Sequence, residues 1–107
     1  MARTVLDTLI QVEQLIHDPD NWSGCGYGED GQRCIEHAID TALPGRNSYY
    51  DRNYIAGHAV QAAIAIAAGV DVENYGHFLG AWNDESPHSV VLAAVHKAIV
   101  TAGGTVA

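Results

Sequence analysis

Basic side chains are scarce in this chain: five Lys and Arg stand against 13 Asp and Glu, a formal net charge of -8. A nonspecific grip on nucleic acid rests on Lys and Arg displacing condensed counterions, so direct nucleic-acid binding is not expected. The acids are dispersed and read as a solubilising surface. Their functional alternative is an acidic nucleic-acid mimic, in which carboxylates imitate a phosphate backbone. Long apolar runs are missing too, none reaching the roughly 18 to 20 residues of a membrane span. The opening "MARTVLDTLIQVEQ" also lacks the basic head, apolar stretch and cleavage site of a signal peptide. A cytoplasmic protein without membrane contact is therefore expected. Cysteine is limited to Cys25 and Cys34, which default to free thiols in a reducing compartment. A chain of 107 residues buries roughly two-thirds of its unfolded surface, so it needs neither a disulfide nor a metal to fold.

What is present is helical periodicity. Val5, Leu9, Val12 and Ile16, with Leu6 and Leu15 beside them, give one apolar face to a helix over 3–17, ended by "DPDN". A second helix over 32–43 turns Cys34, Ile35, Ala38, Ile39 and Ala42 inward and stops before Pro44-Gly45. Asn53 can cap a third, over 54–68, which Gly69 terminates. That segment is apolar nearly all round, with Tyr54, His58 and Gln61 its only polar stripe, and it reads as the central helix. A short helix over 71–80 and a turn precede the last helix, over 87–102, where Ser86-Pro87 is a start signal. Residues 103–107 read as a frayed tail. The expected fold is all-α, one compact domain of four to five helices, with room for a small β-hairpin from Trp22 to Gly31 between the first two.

Four constellations could carry chemistry. Asp18, Asp20 and Glu29 occupy ligand positions of a calcium loop, but Trp22 replaces an oxygen ligand and Ser23 stands where the turn requires glycine. Gly26, Gly28 and Gly31 match the G-x-G-x-x-G string, yet Glu29 and Asp30 put negative charge where a phosphate would sit, so no cofactor is expected. Cys25, Cys34 and His37 offer thiolate and imidazole ligands to zinc, without the close-set pairs of zinc motifs. Cys34 near a helix N-terminus, His77 as base and Asn83 as its orienting partner would make a cysteine-dependent hydrolase or small ligand-binding site. Against these, Cys34 suits a core and Asn83, Asp84 or Ser86 suits the start of the last helix. Trp82 reads as a core anchor, and with Asn83 and Asp84 it could also contact a ligand. His17 suits the negative end of the first helix, and His58, His88 and His96 read as surface residues.

Trp22, then Asp30 and Gly31 in a turn, Cys34 and Ala38 opening a helix, and a late Trp82-Asn83-Asp84 resemble a small family of actinobacteria and their phages. Its pattern runs W-x-x-G, D-x-x-G, C-x-x-G-A and W-N-D; His37 stands where the pattern has glycine. The resemblance spans most of the chain and implies an all-α intracellular protein, phage-encoded, without assigning an activity. No complete catalytic set is present. "RNSYYDRNY" supplies Arg46, Tyr49, Tyr50, Arg52 and Tyr54, residue types favoured at interface hot spots. The function expected is therefore non-catalytic: a small acidic accessory factor binding a host or partner protein, or itself.

Overall fold

Thr4 opens the first helix by accepting the Asp7 N–H on its hydroxyl, and α1 runs Val5–Ile16. In this computed structural model, residues 4–24, 33–45, 53–70 and 79–104 are described. Leu9, Val12 and Ile16 of α1 are fully buried, as the periodicity requires. Asp18 is extended before Pro19, and its carboxylate accepts the Asp20 N–H to start a single 3-10 turn, Pro19–Asn21. That local hydrogen bond is the role of Asp18 here, in a segment whose sequence hints at calcium.

Helix α2 spans Ile35–Ala42, with Ile35, Ala38, Ile39 and Ala42 buried. Cys34 is not its first inward residue. It is the N-cap, half-buried, and its Sγ accepts the His37 N–H at 3.4 Å, a thiol in the position usually held by Ser, Thr or Asp. The chain enters α2 through a parallel bridge between Trp22 and Arg33. Arg33 N donates to Asn21 O at 2.9 Å and Ser23 N to Arg33 O at 3.0 Å. Trp22, the first residue of the expected hairpin, is thus paired in parallel with Arg33, and residues 25–31 of that hairpin lie outside the described residues.

Helix α3 covers Tyr54–Ala68. Asn53 is the N-cap residue of α3 as expected, without a side-chain cap bond; its amide donates to Pro44 O at 3.2 Å, joining the two ends of the segment before α3. The stretch expected as a short helix over 71–80 falls mainly outside the described residues. "GAWNDE", read from sequence as running into a turn, is helix α4, Gly80–Glu85, and α5 follows over His88–Thr101 with Pro87 as its N-cap. Two helices close in the same way. Gly69 has φ 72°, with Gly69 N donating to Ile66 O and Val70 N to Ala65 O. Gly103 has φ 95°, with Gly103 N donating to Val100 O and Gly104 N to Ile99 O. Both are paired Schellman stops in which glycine takes the left-handed position. Residues 103 and 104, expected to fray, are therefore a built helix terminus.

The fold is all-α, a bundle of five α-helices among the described residues, with no β-sheet there. Helix α5 packs on α3 and α1, while α1 also meets α2 and, more lightly, α3. One core joins Leu9, Val12, Ile16, Ile35, Ile39, Val60, Ile64, Trp82, Val91 and Val95. None of the described helices is long and apolar enough to cross a membrane.

Candidate functional site

Asn83 is fully buried on α4. Its Oδ1 accepts the Trp22 indole N–H at 2.9 Å and the Ile35 backbone N–H at 3.0 Å, and its Nδ2 donates to Ser23 O at 2.9 Å. An amide oxygen has two lone pairs, and both are taken. Asn83 therefore does not cap the last helix, and it has no acceptor left to orient a histidine. One side chain ties the Trp22 segment, the start of α2 and α4 into a knot. Trp22 continues it: its ring meets His88 edge-on at 5.5 Å, and His88 Nε2 lies 2.6 Å from Ile16 O at the end of α1. His88 is thus half-buried and closes the carbonyl end of α1 from outside.

A second knot is built on Glu36. Its Oε1 accepts the Leu79 N–H at 2.6 Å, and both oxygens lie within reach of Gln61 Nε2, at 2.9 and 3.1 Å. Helix α4 has no side-chain cap of its own, so this carboxylate serves its N-terminus from another element and meets the positive end of the dipole. Glu36 and Glu13 both turn toward the bundle, which does not suit a carboxylate row displayed to mimic phosphates.

Val60, Ile64 and Gln61 share the inward side of α3. To reach Glu36, Gln61 is buried, only 6% exposed, and the opposite side of the helix faces outward. That side is apolar: Ile55 is 79% and Ile66 73% exposed, with half-buried Ala59 and Ala62 between them. These four recur at i, i+4, i+7 and i+11, a straight stripe along a helix with no Asp, Glu, Lys or Arg. Helix α3 is therefore not enclosed as its composition suggests; it buries a polar residue and shows isoleucines. Beside the stripe, Ala63, Ile66, Ala67, Lys97, Ala98 and Thr101 line an apolar groove of about 350 Å³ between α3 and α5.

A third cluster lies across α1 and α5. His17 Nδ1 is 2.5 Å and His96 Nε2 is 3.2 Å from Glu13 Oε1. Sequence treats His17 as a lone cation and His96 as a surface residue, because the partner they share comes from a tertiary contact.

Of the residues singled out from sequence, Cys34 is the N-cap just described and His37 is exposed, giving Cys34 only its backbone N–H. Trp82 is buried as expected, Asp84 is exposed, and Tyr54 is half-buried with its ring edge-on to His58 at 4.5 Å. Cys25, Arg46, Tyr49, Tyr50, Arg52 and His77 lie outside the described residues. Neither the zinc set nor the hydrolase set is thus brought together among the described residues.

The result is a small helical domain pinned by two polar knots, one fully buried at Asn83 and one half-buried at Glu36, with an uncharged helix face turned to solvent. A family described as a family of unknown function (DUF6197) matches residues 1–101, and the chain belongs to it. No curated protein and no solved structure matches it.

Proposed function

We propose that this chain is a non-catalytic protein-binding module, a phage or accessory factor that acts in the cytoplasm by receiving an apolar helix of a host or partner protein on its α3–α5 face. The observation that carries this reading is the inverted α3, whose Gln61 is inside and whose Ile55 and Ile66 are outside. Single exposed apolar residues are ordinary, but a continuous stripe beside a concave apolar groove is the form a helix-in-groove partner fits. Burying each isoleucine would contribute about 1.5–3 kcal/mol, and the alanines let a second helix approach closely. Charge favours a foreign partner: a body of net charge -8 repels its own copies and attracts a basic one.

A second copy is the other reading, favoured by the order of the stripe. Ile55-Ala59-Ala62-Ile66 reads the same in both directions. Two antiparallel α3 helices about a two-fold axis would set Ile55 against Ile66 of the second copy and Ala59 against its Ala62, as a self-complementary interface requires.

The test compares the wild-type chain with an Ile55→Glu/Ile66→Glu double variant. Both are immobilised through the C-terminus and exposed to lysate of the organism that makes the protein. A protein retained by wild type and lost from the double variant supports the reading, whereas equal retention contradicts it. Sedimentation velocity separates the occupants: a dimer that the double variant abolishes assigns the face to a second copy instead.

A further inference from the structure

We infer that Glu13, His17 and His96 form a binding site for a zinc-class divalent transition metal at the C-terminal end of α1. Among the described residues, these three bring one carboxylate oxygen and two imidazole nitrogens within 4.8 Å of one another. Glu13 and His17 are four residues apart on α1, so helix geometry alone stacks them on one side. His96 comes from α5, so the ligands span two packed elements rather than one flexible segment.

The donor chemistry is that of a three-ligand zinc site with an open fourth position, two histidines and one glutamate. Ligands about 2.0–2.2 Å from a tetrahedral metal stand roughly 3.3 Å from each other. The two separations to Glu13 Oε1, 2.5 and 3.2 Å, need only small side-chain rotations to admit an ion. Both ring nitrogens already aim at the same oxygen, so the three donors converge before any metal arrives.

The proton balance is simple. A neutral imidazole carries one proton, which in the coordinated form sits on the ring nitrogen turned away from the metal, His17 Nε2 and His96 Nδ1, so a neutral ring binds without changing charge. His88 does not compete as a ligand, because its Nε2 is held at 2.6 Å from Ile16 O. The surroundings favour a cation: the last carbonyls of α1 carry the negative end of its dipole, and the whole chain is acidic. With His17 66% exposed, the fourth position opens to water or to a ligand from a partner.

Protein purified without an affinity tag and kept reduced is titrated with zinc by calorimetry and with cobalt(II) by absorbance. One zinc per chain is expected, with a cobalt spectrum free of the sulfur-to-cobalt charge-transfer band that thiolate ligation gives. Glu13→Gln, His17→Gln and His96→Gln should each weaken zinc by at least about tenfold. Cys34→Ser should bind as wild type does. His17→Gln keeps the test decisive if the others unfold, because that side chain is mostly in solvent. Undiminished zinc affinity in His17→Gln, a thiolate band, or no zinc uptake by the wild-type chain overturns the assignment.

Discussion

Asn83 holds three separate segments through one amide, so its removal should be felt far beyond its size. Asn83→Ala leaves the Trp22 indole N–H and the Ile35 N–H buried without an acceptor. At about 1–3 kcal/mol for each abandoned group, the variant should lose roughly 3 kcal/mol or more in urea denaturation. A loss below about 0.5 kcal/mol, the range of ordinary surface changes, would contradict the knot. Sequence presents the same Asn83 as a helix cap, because Asn, Asp and Ser before an apolar run are cap residues by local chemistry. The actual partners are 48 to 61 residues away, and no local period reports such a contact. Cys34 shows the opposite case: its place at the edge of α2 was legible, but a helix wheel could not separate the first inward residue from the cap. The candidate binding residues were the least legible. Ile55 and Ile66 belong to a helix so apolar that composition alone buries them, and it is the burial of Val60, Ile64 and Gln61 on the other side that turns them out.

At the scale of the element, the helices themselves were legible because their apolar spacing is strong, and α3 matches its expected span of 54–68 to the residue. Helix α4 was missed because six residues carry no period and its N-terminus is served by a carboxylate on α2. The two glycine stops make a graded prediction. Gly69→Ala and Gly103→Ala each force a left-handed conformation on a side chain, with nothing nearby to clash, and should cost about 1–2 kcal/mol. Gly104 differs, since its φ is not positive. There an added Cβ would sit 2.7 Å from Leu6 Cδ1 and 2.8 Å from Ile99 Cγ2, so Gly104→Val should destabilise through crowding against α1. Thermal denaturation of the three variants distinguishes these origins, because relieving the crowding with Leu6→Ala should rescue part of the Gly104→Val loss and none of the Gly103→Ala loss.

For the whole molecule, the all-α bundle followed from the sequence, while its proposed functional faces did not, because each depends on how helices distant in the chain meet. The proposed metal site pairs Glu13 with a histidine 83 residues later, and the proposed docking face pairs the stripe of α3 with the groove shared with α5. These two features use different surfaces of α5: His96 meets α1, whereas Lys97 and Thr101 line the groove beside α3. Metal uptake and partner binding should therefore be separable by substitution, with His17→Gln sparing partner capture and Ile66→Glu sparing zinc. Site-specific photo-crosslinking in the producing cell tests the binding face most directly, using benzoylphenylalanine at position 66 and, as a control, at exposed position 14 on α1. A discrete heterologous adduct from position 66 alone, suppressed by Ile55→Glu, is the predicted result. No adduct from position 66, or the same adducts from both positions, would contradict a docking role for the outward face of α3.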